Sequence, residues 1–230
     1  MAEKPTKELI LDILKKKACL KQCLFKKTIQ VFDEFKTEAE KLVGELRVEM
    51  KKVDDNVALE YYLKGDYEFH IKFGGDILVF FMHTNIFDFP KNHQIWQSSY
   101  VKEDELRSYC GMINVYNFLA DSLKYNRIND IGYLVARFFV NNELHYFVEG
   151  KKQLGFLYND FIHETIDTTK IRKIVESTIL YSIDFDLLTP PYNTVNEISV
   201  MDIIEVTNAA NIKTGKRLGF KFQSDINNFE

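Results

Sequence analysis

The sequence predicts an α+β fold in the order α-β-β-β-α-β-β-α: a long N-terminal helix, antiparallel meander strands and two further helices, followed by a C-terminal extension. Three observations predict it. Residues 6–53 contain no proline and one glycine, Gly44, and are rich in the helix formers Lys, Glu and Leu. Residues 57–89 break into three aliphatic and aromatic runs separated by Gly-Asp and Gly-Gly-Asp. A second pair of such runs, GYLVARFFV and ELHYFVEG, precedes a capped amphipathic stretch that begins after Asp167. Strands grouped between helices, rather than alternating with them, indicate α+β. The 230 residues divide into an N-terminal helical region (1–53), an α+β core (54–183) and a C-terminal extension (184–230), expected to form one globular unit.

In the first element, Thr6, Leu9, Ile10, Ile13 and Leu14 open an amphipathic pattern. Phe25, Thr28, Phe32, Phe35, Ala39, Leu42, Leu46 and Val53 continue it at three- and four-residue steps, broken at Glu49. Large aromatics on this stripe suit packing on the chain's own core better than a two-stranded coil, although pairing with another chain is the alternative. VALEYYLKG, DYEFHIKF and DILVFFMH are the three strands. Pairing them across Gly74-Gly75 puts Tyr67, Phe69, Ile71 and Phe73 on one face with Leu78, Phe80 and Met82. The other face carries Glu68, His70 and Lys72 on one strand but Ile77, Val79 and Phe81 on the next, so something must cover those three residues. The long helix or a second copy of the chain could do so. Residues 90–100 read as loop and 102–125 as a helix with an acidic start at Glu103, Asp104 and Glu105. Asn141-Asn142 reads as a two-residue turn that sets Phe138 opposite His145 and Arg137 opposite Tyr146. QLGFLY suggests one more strand, and Asp167-Thr168-Thr169 caps a helix over 170–182. SVMDIIEV reads as a strand or short helix, and KTGKRLGFKF as a weak hairpin.

Composition narrows the function classes. A chain that is 46% hydrophobic and 14% aromatic is globular, and a net charge of −4 leaves no basic surplus for a nucleic-acid partner. The longest uninterrupted apolar run, Ile77 to Met82, is far short of the ~20 residues a membrane span needs, so no membrane partner is expected. Three cysteines, Cys19, Cys23 and Cys110, and no N-glycosylation sequon fit the reducing cytoplasm.

Candidate chemistry is sparse. Asp184 and Asp186 are spaced to share a metal, but the surrounding residues lack the partners such motifs need, so they read as polar residues near a helix end. Cys19 and Cys23 lie one helical turn apart with no second Cys/His pair nearby, so they read as half-buried helix cysteines, and no metal site is expected. Lys213-Thr214-Gly215-Lys216 resembles a phosphate loop without its glycine frame, and no cofactor is expected. His83 falls opposite Asp66 in the hairpin register, so the pair could act as a base with its orienter or form a structural hydrogen bond. Arg137 sits among apolar neighbours on a face read as shared with Tyr133, Val135, Phe139, Leu144, Tyr146 and Val148. A guanidinium there wants an anion: Glu149, a C-terminal carboxylate or a bound acidic ligand.

The stretches NFLADSLKYNR and GYLVARFFVNNELHYFVEG, with the helix from Thr169, complete an element order over residues 20–182 that resembles the type III secretion chaperone-like superfamily. That resemblance implies a homodimer that holds extended segments of other proteins, and it carries no site residues. The functional expectation is therefore a non-catalytic, homodimeric interaction or chaperone-like module with Ile77, Val79 and Phe81 at its interface. The alternatives are a sensor for small acidic ligands around Arg137 and Tyr146, and an enzyme using His83 and Asp66.

Overall fold

Apolar residues every three or four positions in the first fifty residues build one long helix. In a computed structural model of the chain, α1 (Thr6–Ile13) runs through a π-helical stretch (Leu14–Ala18) into α2 (Cys19–Met50). The structure describes residues 5–150, 153–185, 189, 191–194, 196–201 and 203–204. The strands are β1 (Leu59–Gly65), β2 (Glu68–Phe73), β3 (Asp76–Met82), β4 (Cys110–Leu119), β5 (Tyr133–Asn141) and β6 (Tyr146–Gly150). They form one antiparallel sheet in sequential order, with no crossover. Short helices α3 (Ser99–Glu103), α4 (Ala120–Lys124) and α5 (Gln153–Leu157) fill the connections, and α6 (Thr168–Ile183) closes the domain. The α+β architecture expected from the sequence is the one observed.

One face of the sheet is sealed by α2 and α6. Phe32 packs on Phe69 at 5.4 Å between ring centroids, Phe35 meets Phe138 edge-on at 5.2 Å, and Phe69 stacks on Phe80 at 4.5 Å. Such ring pairs add to the burial of large apolar area. The helices run side by side, joined by a bidentate pair from Arg172 to Glu45 (2.9 and 2.5 Å). Thr28, Thr178 and Ser182 are fully buried on this face, and each donates its hydroxyl to the carbonyl four residues earlier, which satisfies it without a partner across the interface. α2 approaches the sheet tightly at Gly111 of β4, where a Cβ would lie 2.0 Å from the Thr28 Oγ1.

A smaller cluster covers one end of the opposite face. Cys110, Phe139 and Phe147 pack there under Ile95, Tyr100, Val101 and Phe161. The covering segment turns three times, and each turn starts on a capping side chain: His93 accepts from the Ile95 N–H, Ser98 from Val101 and Asp104 from Leu106. Among the described residues, only the short helix α4 borders the rest of that face, and no helix lies across it.

Several local expectations are corrected. The helix read over 102–125 is instead the end of α3, the ten-residue strand β4 and the single turn α4. QLGFLY forms α5 rather than a strand. The second hairpin turns through Asn142, Glu143 and Leu144, with Leu144 at φ 65°, and the Asn141 N–H bonds to the His145 carbonyl. Arg137 therefore faces Glu149, and Phe138 faces Val148. Asp167 caps α6 as expected, accepting from the Lys170 N–H at 2.8 Å. Of SVMDIIEV, Val200, Met201, Ile203 and Ile204 are helical; KTGKRLGFKF and Asp186 lie outside the described residues.

Candidate functional site

The uncovered part of the sheet is built from three rows of side chains running across the strands. Register fixes the rows: Glu60, Lys72, Ile77 and Phe118 in the first; Tyr62, His70, Val79, Tyr116 and Leu134 in the second; Glu68, Phe81, Asn114, Arg137 and Glu149 in the third. Residues facing one another across antiparallel strands interact directly. The centre of this surface is apolar. Phe81 keeps 37% of its surface exposed and Leu134 38%, and Val79 and Tyr116 are half-buried between them. A bulge at Val115/Tyr116 brings Leu134, rather than Val135, beside Tyr116. Val135 and Ala136 both turn into the helix-side core.

Charged groups frame the strip and are already paired. The His70 Nε2 lies 2.6 Å from the Glu68 Oε1, although His70 itself is buried. Burial holds the His70 imidazole below its ordinary pKa, against the opposing pull of Glu68. Lys72 lies 3.9 Å from Glu60. Arg137 donates to Glu149 from Nε at 2.8 Å and also from its terminal nitrogen, and the His93 Nε2 stands 3.7 Å from the same carboxylate. Asn114 is buried between Phe81 and Arg137, and its Oδ1 has no hydrogen-bond partner among the described residues. Beside the first row, a shallow groove of about 1080 Å³ opens between the strands and α4, lined by Lys72, Ile77, Leu119, Leu123 and Arg127 among others.

The expected site residues fall in different places. Ile77, Val79 and Phe81 share the uncovered face, and the long helix lies on the other side of the sheet, so it does not cover them. Ile77 is buried by its own neighbours, whereas Phe81 is open. Arg137 and Tyr146 occupy opposite faces: Arg137 lies in the third row, while Tyr146 stacks on Phe138 at 5.5 Å in the helix-side core. The Tyr146 hydroxyl donates to Glu164 at 3.1 Å, and burial pushes its pKa up. No hydrogen bond or ion pair joins His83 to Asp66. The His83 Nδ1 accepts from the Asn85 N–H, and its ring packs between Phe81 and Phe87; the Asp66 carbonyl accepts from Lys36. Cys19 and Cys23 are exposed rather than half-buried, while Cys110 is fully buried and its thiol pKa is raised by that burial. Among the described residues, no group of three His, Cys, Asp or Glu side chains is placed to hold a metal, and no helix is long and apolar enough to cross a membrane.

Tyr116 and Leu134 are the members of the strip that the sequence reading missed. The signal was present in MINVYNF, whose alternation of Met112, Asn114, Tyr116 and Phe118 with Ile113, Val115 and Asn117 is that of a strand.

No protein-family model, curated protein or solved structure matches the chain.

Proposed function

We propose that the chain is a non-catalytic, cytoplasmic protein-interaction module that forms a homodimer through the uncovered face of its sheet. The observation that carries this reading is the Val79–Phe81–Tyr116–Leu134 strip, an apolar surface at the centre of a sheet whose other face is already sealed. Its charged frame is internally neutralised, which lowers the cost of bringing a second surface against it. The three rows cover roughly 20 by 20 Å, about 400 Å² from strand and residue spacings. A standard interface buries about 800 Å² per partner. The contact therefore extends past the strip, and the groove beside Ile77 adjoins it on the side where the extension is needed. The exposed thiols of Cys19 and Cys23 suit a reducing compartment. The element order supports the chaperone-like part of the reading, in which the groove holds a segment of a client protein. The acidic-ligand reading has less support because Glu149 already neutralises Arg137, and the enzyme reading has less because His83 and Asp66 do not meet.

Light scattering coupled to gel filtration tests the dimer. The expected mass at tens of micromolar is twice the 27.1 kDa of one chain. Phe81→Asp adds a charge to a third-open position and is expected to give monomers whose far-ultraviolet circular dichroism matches that of the wild type. A monomeric wild type, or a Phe81→Asp protein that stays dimeric, overturns the proposal.

A further inference from the structure

The N-terminal helix extends well past the domain it anchors. Its first buried residue is Leu24, and nothing in α1 or the π-helical stretch is buried. Leu9, Ile10, Leu11, Ile13 and Leu14 are each 44–53% exposed on two consecutive turns. The next turn is Lys15-Lys16-Lys17, none of which has an ion-pair partner among the described residues. Residues 6–21 carry five lysines against Glu8 and Asp12, a surplus of three positive charges in a chain whose net charge is −4.

The π stretch matters to this geometry. It adds on the order of one residue to the helical phase, so the Leu9–Leu14 stripe is rotated by about 100° from the stripe that α2 buries. The arm therefore does not continue the core face into solvent; it presents an apolar surface aimed elsewhere, on a helix continuous with the domain.

From this geometry we infer that α1 and the lysine turn form a membrane-surface anchor whose ligand is an anionic phospholipid bilayer. A short helix with aliphatics on one side and lysines beside them lies in the interfacial plane, its apolar side in the acyl boundary and its ammonium groups at the phosphates. Charge complementarity selects this occupant. The surplus of three positive charges beside the apolar stripe matches an anionic surface and disfavours pairing with the like-charged arm of a second copy. Long lysine stems reach a flat anionic surface from the flanks. The earlier expectation of no membrane partner rested on the absence of a spanning segment, which an interfacial helix does not need. The anchor is independent of the dimer reading.

Co-sedimentation of the full chain with vesicles tests it. The wild type is expected to sediment with vesicles of phosphatidylglycerol and phosphatidylcholine at low salt, and to stay in solution with phosphatidylcholine alone. Each lysine at an anionic surface strengthens binding roughly fivefold. The Lys15→Glu/Lys16→Glu/Lys17→Glu protein should therefore partition at least about a hundredfold less. Ile10→Ser/Ile13→Ser should abolish binding at every salt concentration. Both variants change only exposed residues, so an unchanged thermal midpoint shows that the domain is intact. No wild-type binding to the anionic vesicles overturns the inference, as does binding that either variant leaves unaltered. Loss of oligomers in Ile10→Ser/Ile13→Ser without vesicle binding by the wild type overturns it in favour of a second copy of the chain as occupant.

Discussion

Replacing Gly111 with alanine should lift the long helix off the sheet. Gly111 lies in β4 on the face toward α2, paired with Val140. A Cβ there would stand 2.0 Å from the Thr28 Oγ1, 2.6 Å from Cγ2 and 2.8 Å from Cβ. The hydroxyl could rotate away, giving up its 2.8 Å bond to the Leu24 carbonyl. The Thr28 Cβ cannot, because the helix backbone fixes it. Ordinary carbon contacts begin near ~3.5 Å, so α2 must retreat by roughly 0.7 Å at this point. That loosens the ring contacts of Phe32 and Phe35 with Phe69 and Phe138. Overpacking of this kind costs about 1–3 kcal/mol. For a chain of this length, each kcal/mol moves the melting midpoint by about 2–4 °C, so a fall of roughly 2–12 °C is expected. Circular dichroism melts and guanidinium titrations measure it. Thr28→Ala removes two of the three close contacts, so the double variant should lose less than the sum of the two single losses. A Gly111→Ala protein as stable as the wild type, or strict additivity in the double variant, refutes the close approach of α2 to β4.

Gly44 lies in the interior of α2, exposed and with nothing within 4 Å of a Cβ, so Gly44→Ala should raise stability by about 1 kcal/mol in a guanidinium titration. Burial lowers the His70 pKa in the fold, so its contribution to stability is complete above the unfolded value near ~6.5 and is lost as pH falls below it. The denaturation free energy of the wild type should drop below about pH 6.5 by at most ~1.4 kcal/mol per pH unit more steeply than that of His70→Gln; parallel profiles would exclude His70 as the source.

The first hairpin was legible in full because Gly74-Gly75 permits only a tight turn, and a two-residue loop fixes every cross-strand partner from Phe73–Asp76 to Glu68–Phe81. The second hairpin was not. Its left-handed turn residue is Leu144, where composition gives no warning, and Asn141-Asn142 advertised a shorter loop than the one that forms. A register shift of that size moved Arg137 from Tyr146 to Glu149 and dissolved the expected ligand pocket. The acidic run Glu103-Asp104-Glu105 imitated a helix start and hid β4, and with it Tyr116, the residue that joins Val79 to Leu134 across the sheet. Of the candidate surface, Ile77, Val79 and Phe81 were therefore visible; the alternation of MINVYNF carried β4 as well, while the bulge that sets Leu134 beside Tyr116 depended on tertiary pairing.

The strictly sequential strand order has a consequence for synthesis. Each strand finds its partner in the segment made just before it, so the sheet can grow by one strand at a time as the ribosome advances. α2 is completed earlier than any of this, and its Phe32 must wait for Phe69 to emerge, which takes roughly 2–7 s at ~5–20 residues per second. During that interval a row of aromatic side chains has no cover from its own chain. It is then that the nascent chain is most exposed to aggregation, and the emergence of Phe69 begins to close the interval.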